Sequence, residues 1–270
     1  MKKKKLGVLA TVAMCAVLGL SGLAGCASSE SSTSASASAS SSAQTKTLEG
    51  KTLNIYCGAG MTDPFQKIAD EFKAQTGCEM VITFANAAQI QTQIKTTEEG
   101  DFFIAGSKEE TKPVEEYVTS NTDLVKHIPV LVVPKDNPKN IASLNDLVNA
   151  DTILIGDPES TPIGKIAKKA FTDAGIFDAV SDKLTTTTTA PQIAAALARG
   201  EGDAGIVWKE NVKAEGATIV ADSGMDSYTK VIPAAQLKSV KDADAAAAFL
   251  EFLGSDTAKN IWAEYGYEQA

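Results

Sequence analysis

From Leu53 onward the chain alternates short apolar runs with longer segments whose apolar residues recur at helical spacing. The first run, Leu53–Cys57, leads through glycines into a segment in which Phe65, Ile68 and Phe72 form one stripe. Strands that alternate with helices pair in parallel, because each helix carries the chain back to the start of the next strand. The sequence therefore predicts an α/β fold of mostly parallel sheets flanked by helices.

The same pattern continues to the C-terminus. Thr62 and Asp63 are expected to cap the first helix, and Gly77 to end it. The predicted strands span 53–57, 79–84, 102–104, 128–133, 152–156, 184–187 and 205–208. The predicted helices span 88–97, 162–174 and 191–199, with two more between 242 and 265.

The N-terminus has the organisation of an export signal. Lys2–Lys5 is basic, Leu6–Leu20 is apolar, and small residues follow up to Gly25. The apolar run is shorter than the ~20 residues that a membrane-spanning helix needs. We expect residues 1–25 to be a cleaved signal peptide.

Leu23-Ala24-Gly25-Cys26 resembles the lipobox of bacterial lipoproteins. That resemblance implies lipidation of Cys26 and anchoring on the outer, extracytoplasmic face of the cell membrane. Residues 27–44 are almost entirely Ser and Ala, a composition that cannot bury enough apolar surface to fold. We expect residues 26–46 to be the lipidated cysteine and a disordered linker.

Composition excludes several classes of function. Removing the four lysines of the signal leaves 21 basic and 34 acidic residues, a net charge of −13, which argues against a nucleic-acid partner or a polybasic membrane surface. His127 is the only histidine, and a structural hydrogen bond or a hinge role is expected for it. Without a His/Cys cluster or a Gly-x-Ser-x-Gly turn, neither a metal, a cofactor nor an enzymatic activity is expected.

The two cysteines of the folded part are expected to be free thiols. Cys57 ends the first predicted strand and Cys78 precedes the second. In parallel strands these positions lie at opposite ends, ~13–17 Å apart, whereas a disulfide needs Cα atoms within ~7 Å.

The charged run Lys108-Glu109-Glu110 is expected to be solvated surface.

Four strand ends lead into loops of small or Thr-rich residues and then into helix starts. A helix N-terminus offers unpaired N–H groups and the positive end of the helix dipole, so converging N-termini can bind an anion without Lys or Arg. Parallel sheets bind ligands at the carboxyl ends of their strands. The loops are Gly58–Met61, Ala85–Ala88, Ser160–Ile163 and Thr187–Ala190.

At these residues the sequence resembles the substrate-binding components of bacterial molybdate and tungstate ABC transporters, which have the type II periplasmic-binding-protein fold. The resemblance extends from about Thr52 to Gly266. The segments that carry it are Ile55–Thr62, Phe84–Ala88, Gly156–Glu159, Gly164, Ala204–Trp208 and Tyr265-Gly266.

The resemblance implies a monomer of two lobes, each a mostly parallel sheet flanked by helices, joined by two crossover strands. The expected crossovers are 128–135 and 229–234. Lobe one would comprise 47–131 with 229–270, and lobe two 132–228. The lobes would close on a tetrahedral oxyanion and deliver it to an ABC permease in the membrane.

The resemblance also implies a set of ligand-binding residues, some of which depart from the family pattern. Gly60 and Ala87 stand where the family has serines, and Trp208 stands where it often has a tyrosine. Backbone N–H groups are expected to be retained. The expected ligand-binding residues are Gly60, Met61, Ala87, Ala88, Ile163, Ala190 and Trp208.

Nearby polar residues offer replacement donors for the missing hydroxyls. Candidates are Thr62, Asn86, Thr161 and Thr189, together with the Trp208 indole N–H. A site with donors only suits molybdate, tungstate or sulfate better than hydrogen phosphate. Trp208 has an alternative role, packing that closes the cleft. Two alternative functions are open. The chain could bind another anion, or it could be an enzyme on the same two-lobe scaffold.

Overall fold

The computed structural model describes residues 47–187, 189–213 and 215–270, and the structural statements below concern these residues. The predicted signal peptide and Cys26 with its linker lie outside them. No helix in the described ranges combines the length and hydropathy needed to cross a bilayer.

The strands predicted from apolar runs are present, within a residue of their predicted ends. Three further strands, β4, β9 and β11, were not predicted, whereas β10 begins within a residue of the expected crossover 229–234 and extends beyond it to Leu237. The strands are β1 (Thr52–Gly58), β2 (Glu79–Ala85), β3 (Phe102–Ile104), β4 (Val118–His127), β5 (Pro129–Pro134), β6 (Ile153–Gly156), β7 (Leu184–Thr187), β8 (Ala204–Trp208), β9 (Ala217–Ile219), β10 (Lys230–Leu237) and β11 (Glu268–Gln269).

The predicted helices are also present, together with two single-turn helices, α3 and α5. The helices are α1 (Thr62–Thr76), α2 (Ala87–Thr97), α3 (Lys108–Thr111), α4 (Pro162–Asp173), α5 (Phe177–Val180), α6 (Ala190–Ala198), α7 (Ala243–Leu253) and α8 (Asp256–Glu264).

The two ends of α1 show one correct and one wrong prediction. Gly77 ends the helix as predicted: it adopts φ 80°, and its N–H donates to the Lys73 carbonyl at 2.8 Å. The predicted cap by Thr62 and Asp63 is wrong. Met61 is the N-cap and makes no side-chain cap bond. The Thr62 hydroxyl donates to the Ala59 carbonyl of the preceding 3-10 turn and caps no N–H group of the helix.

The strands form two sheets, ordered β11-β4-β10-β3-β1-β2 and β7-β6-β8-β5-β9. Strands that lead into helices pair in parallel, as β1 does with β2 and β3, and β6 with β7 and β8. The other pairings are antiparallel, so the sheets are mixed instead of mostly parallel. Each antiparallel pairing involves β4, β5 or β10, the strands at which the chain passes from one sheet to the other.

Each sheet has its own apolar core. In the first core the Phe249 ring lies 5.1 Å from Phe72 and 5.2 Å from Phe102, edge to face, and these rings are fully buried. The second core is aliphatic around Leu131 and Ile206. Burying one such side chain contributes ~1.5–3 kcal/mol, so each sheet holds its helices by its own packing.

The chain passes between the sheets at two places. β4 ends at His127 in the first sheet, and β5 begins at Pro129 in the second. The return lies between β9 and Lys230, where β10 rejoins the first sheet. The lobe ranges, 47–131 with 229–270 and 132–228, remain a prediction.

Cys57 and Cys78 are free, as predicted, and both are fully buried. The parallel register pairs Cys57 with Phe84, at the far end of β2 from Cys78. The two thiols are therefore separated along the sheet.

Candidate ligand-binding site

The loops after β1, β2 and β3 leave the first sheet at one edge. The parallel register sets Gly58 beside Ala85 and Cys57 beside Ile104. The predicted residues Gly60, Met61, Ala87 and Ala88 follow directly. The structure therefore brings these four expected residues to the same sheet edge.

The loop after β1 presents main chain rather than side chains. Gly60 is exposed, and a Cβ atom there would have no neighbour within 4 Å. Met61 is buried, with 2% of its surface exposed, and turns its side chain into the core. Space for a ligand therefore lies beside Gly60.

The N-terminus of α2 is ordered by a capping box. The Asn86 side-chain oxygen accepts from the Gln89 N–H at 2.9 Å, and the Gln89 side chain accepts from the Asn86 N–H. Ile90 donates its N–H to the Asn86 carbonyl. The N–H groups of Ala87 and Ala88 therefore remain open at the edge.

The second sheet has a matching edge. Gly156 at the end of β6 pairs with Thr187 at the end of β7, and Leu154 pairs with Gly205, which sets the end of β8 beside them. The expected residues Ile163 and Ala190 follow the ends of β6 and β7, and the expected residue Trp208 is the last residue of β8. They are thus gathered at a second edge.

Only one N–H is left open in the first turn of α4. Pro162 has none, and Gly164 donates its N–H to the Thr161 hydroxyl oxygen at 3.1 Å. Lys165 donates to the Thr161 carbonyl at 3.0 Å. The Ile163 N–H is therefore the available donor.

The first turn of α6 likewise leaves a single N–H group without a partner among the described residues. Gln192 and Ile193 both donate their N–H groups to the Thr189 carbonyl. Pro191 has no N–H to offer. The Ala190 N–H therefore remains as the donor of this helix end.

The four replacement donors differ in availability. The Thr62 hydroxyl donates to the Ala59 carbonyl and the Thr161 hydroxyl to the Asp157 carbonyl, both at 2.8 Å, so neither hydrogen is open. The Asn86 amide nitrogen and the Thr189 hydroxyl make no hydrogen bond to any described residue. Asn86 and Thr189 are also exposed.

His127 connects the two edges. Its Nδ1 lies 3.1 Å from the carbonyl oxygen of Gly106, in the loop after β3. Its Nε2 lies 3.0 Å from Oε1 of Glu210, just after β8, and its ring stacks on Trp208 with centroids 3.5 Å apart. The predicted structural hydrogen bond of His127 is confirmed. The carboxyl ends of the two sheets therefore meet at this residue.

Trp208 is largely buried, with 9% of its surface exposed, and its ring packs on His127. Its contact with a ligand, and the alternative role of closing the cleft by packing, both remain predictions. Its indole N–H makes no hydrogen bond to a described residue. Glu210 was not among the predicted residues, because it is separated from His127 by 83 residues and lies in no motif.

Glu110 is half-buried, so the prediction of solvated surface is wrong for this residue. Its carboxylate accepts from the Gly106 N–H at 2.8 Å. Burial raises the pKa of Glu110, although Gly106, His127 and Lys165 favour its charged form.

A separate cavity of about 190 Å³ lies against β1 and β2 of the first sheet. Its lining includes Asn54, Tyr56, Thr83, Glu99 and Lys241. None of the expected ligand-binding residues lines it. The candidate site therefore depends on the strand ends and not on this cavity.

Two sequence relatives align with most of this chain. It is 29% identical over 233 residues to the molybdate-binding protein ModA of Escherichia coli, covering 81% of this chain and 89% of the relative. It is 26% identical over 223 residues to the "Putative ABC transporter substrate-binding lipoprotein YvgL" of Bacillus subtilis, covering 80% and 86%.

A solved structure supports the same fold. The "substrate binding domain of putative molybdenum ABC transporter from Clostridium difficile" superposes with a TM-score of 0.70 and 27% identity, covering 81% of this chain and 99% of that one. Both chains thus have the α/β architecture of periplasmic-binding proteins, and the expected fold class is confirmed. The family model described as "Bacterial extracellular solute-binding protein" matches residues 53–268, and the chain belongs to that family.

Proposed function

We propose that the chain is the substrate-binding lipoprotein of an ABC importer. It captures a tetrahedral oxyanion, molybdate or tungstate, between its two sheets and delivers the ion to a membrane permease. The names of the relatives from Escherichia coli and Bacillus subtilis support this assignment.

The observation that carries the proposal is the set of open helix N-termini. The N–H groups of Ala87, Ala88, Ile163 and Ala190 have no partner within the described residues, and they lie at two sheet edges that meet at His127. Helix dipoles place partial positive charge at these positions. A dianion held between the edges would satisfy donors from both sheets.

The donor chemistry favours a fully deprotonated ion. Backbone N–H groups, the Asn86 amide and the Trp208 indole all donate and offer no acceptor to a ligand proton in this arrangement. Molybdate, tungstate and sulfate present only acceptor oxygens at neutral pH, whereas hydrogen phosphate has a proton to donate. The site is therefore proposed to bind molybdate, tungstate or sulfate in preference to hydrogen phosphate.

A different anion is the second candidate, and the open space at Gly60 favours it. A Cβ atom at Gly60 would have no neighbour within 4 Å, so no protein atom fills the space beside this loop. A small organic anion would use that room.

Catalysis is not proposed, because both nitrogens of the single histidine are engaged by Gly106 and Glu210.

Titration calorimetry on the chain from Thr45 onward tests the ligand. We expect saturable binding of one molybdate or tungstate ion per chain, weaker binding of sulfate and little heat from phosphate. Binding of carboxylates or phosphate esters in preference to all these ions would favour the second candidate. No heat with any of these anions would contradict the proposal.

We also propose that Cys26 carries the lipid anchor that holds the protein, as a monomer, on the outer face of the membrane. Metabolic labelling with a radioactive fatty acid is expected to label the wild-type protein. Cys26→Ser should abolish the label and release the protein from the membrane fraction. A labelled or membrane-bound Cys26→Ser variant would contradict this assignment.

A further inference from the structure

The cavity against β1 and β2 lies on a face of the first sheet and not at its carboxyl edge. In the parallel register Asn54 pairs with Val81 and Tyr56 with Thr83, and all four residues line the cavity. Residues two apart on a strand share a face, so the cavity covers one face of both strands. From Asn54 to Gly58, where the loop of the proposed oxyanion site begins, the distance along β1 is ~13 Å. The cavity is therefore separate from the oxyanion site.

Buried contacts fix the walls of this cavity. Asp101, with 1% of its surface exposed, accepts from the Asn54 N–H at 2.7 Å and from the Asn54 side-chain amide at 3.3 Å. Its other oxygen accepts from the Lys241 N–H at 3.1 Å. Gly100 adopts φ 107°, and a Cβ atom there would lie 2.4 Å from the Tyr56 ring. The glycine therefore leaves space for Tyr56 in the wall.

Three side chains of the wall have polar atoms without a partner. Tyr56 is only 7% exposed, yet its hydroxyl makes no hydrogen bond to a described residue, and the oxygen is not sealed from solvent. The Thr83 hydroxyl and the Gln93 side-chain amide also make no hydrogen bond to a described residue. Side chains as buried as Tyr56 normally have their polar groups paired. All three groups are thus available to a polar molecule in the cavity.

One cation and one anion also line the cavity. The Lys241 ammonium lies 3.8 Å from Oε1 of Glu99, and the two side chains are 70% and 66% exposed. Neither makes another ion pair within the described residues. A pair this exposed contributes little on its own. A ligand with a net charge would be attracted by one of these groups and repelled by the other, whereas a zwitterion can pair with both.

We propose that this cavity is a second ligand site, which binds a small zwitterion, a free α-amino acid with a short polar side chain. Its volume of about 190 Å³ is below the ~300–1,000 Å³ of pockets for drug-sized molecules. The ligand carboxylate would pair with Lys241 and the ligand ammonium with Glu99. The ligand side chain would bond to Tyr56 and Thr83. This site does not depend on the oxyanion assignment.

Titration calorimetry on the full chain tests the ligand class. We expect saturable binding of serine, and binding of alanine about threefold to tenfold weaker, because alanine lacks the hydroxyl. Acetate and methylammonium each carry one of the two charges, and glycerol carries neither, so each should bind about tenfold more weakly than serine or less. No saturable binding of serine would overturn the inference. Acetate, methylammonium or glycerol binding as tightly as serine would also overturn it.

Two substitutions place the ligand in the cavity. Lys241→Gln, at an exposed position, should weaken serine binding about tenfold, whereas Lys259→Gln removes the same charge from α8 and should leave binding unchanged. Tyr56→Phe keeps the ring and should weaken serine binding about threefold to tenfold, with a smaller effect on alanine. Tyr117→Phe, outside the cavity lining, is its control. Unchanged serine affinity in Lys241→Gln would overturn the assignment of the cavity.

Molybdate separates this site from the oxyanion site. We expect the affinity for serine to be the same with and without saturating molybdate. Competition between the two ligands would place serine at the strand ends and overturn the inference. If the wild type binds no molybdate, the proposed oxyanion fails, while the serine titrations and the Lys241 and Tyr56 variants still decide whether the cavity is a ligand site.

Discussion

The Cα atom of Gly164 lies so close to the Gly156 carbonyl that a Cβ atom at residue 164 would be 2.3 Å from its oxygen. The same Cβ atom would lie 2.3 Å from the Asp157 carbonyl oxygen. The first turn of α4 is therefore pressed against the loop that follows β6. This contact sets the direction of the Ile163 N–H.

Gly164→Ala should weaken both folding and ligand binding. Overpacking against backbone costs ~1–3 kcal/mol, and relief of the clash would move the Ile163 N–H away from the site. Urea unfolding and molybdate titration measure the two effects. Gly60→Ala is the matched control for stability, because a Cβ atom at Gly60 meets nothing within 4 Å. Equal stability of Gly164→Ala and wild type would contradict the packing argument.

Ala87→Pro removes one proposed donor while keeping the helix. Ala87 is the first residue of α2, a position that tolerates proline, and Asn86 already has the extended conformation that precedes proline, with φ −71° and ψ 156°. We expect molybdate affinity to fall about tenfold to a hundredfold, because a hydrogen bond to an ion contributes ~1.5–3 kcal/mol. The melting temperature without ligand should change little.

Ala243→Pro is the control for this substitution. Ala243 is the exposed first residue of α7 and lies outside the proposed site. Unchanged molybdate affinity is expected in this variant. If Ala87→Pro also retained full affinity, the Ala87 N–H would have no role in binding.

Gly60→Ser and Ala87→Ser should each strengthen oxyanion binding. The resemblance implies serines at these positions, and Gly60 has space for the side chain. One added hydroxyl donor to an ion contributes ~1.5–3 kcal/mol, or about tenfold to a hundredfold in affinity. Competition titrations with molybdate measure the gain. Weaker binding in both variants would indicate a ligand that fills the space beside Gly60.

Asp242 is expected to contribute to stability in a pH-dependent way. Its hydrogen bonds with Lys51 and with the Ala245 N–H, the latter at 2.9 Å, hold the pKa of this carboxyl below its usual range. A lowered folded-state pKa stabilises above the unfolded value, ~3.9, and the contribution is lost as the pH falls through the folded value.

Asp242→Asn should therefore be less stable than wild type at neutral pH, and the difference should shrink as the pH falls below ~4. Thermal unfolding across this range measures it. Asp136→Asn, at an exposed turn, is the charge-matched control and should show no such trend. A difference that stays constant with pH would contradict the role given to the carboxylate.

The two thiols should be unreactive in the folded protein. Burial raises the pKa of the Cys57 thiol well above its usual range, and Cys78 is also buried. We expect maleimide to leave the native chain from Thr45 onward unmodified and to add two labels after unfolding in guanidinium. Fast labelling of the native protein, or the mass of one disulfide, would contradict the buried positions.

The apolar strands were predictable because each carries its own pattern. β1 and β6 are short apolar runs that end at glycine, β8 is a short apolar run that ends at Trp208, and each was found within a residue of its expected ends. β4 was not predicted, since Val118–His127 is mostly polar and is held in the sheet by antiparallel pairing with β10. That partner lies more than a hundred residues away, so no local pattern marks the strand.

The candidate site was predictable to a similar extent. Loops of small residues indicated which helix N-termini follow the strand ends, whereas the hydrogen bonds that engage the Thr62 and Thr161 hydroxyls could not be read from the sequence. Thr161 is a donor by residue type, yet its hydroxyl is used by Asp157 and Gly164. The contact between His127 and Glu210 depends on how the two sheets meet, a relationship that periodicity does not encode.

The most direct test of the central claim is thermal unfolding of the chain from Thr45 onward with molybdate, tungstate, sulfate, phosphate or chloride. A ligand at ~100 times its dissociation constant stabilises by ~2.7 kcal/mol, a shift of roughly 5–11 °C for a body of this size. We predict that shift with molybdate and tungstate, a smaller one with sulfate, and none with chloride. No shift with any oxyanion would contradict the claim that the open helix N-termini form an oxyanion site.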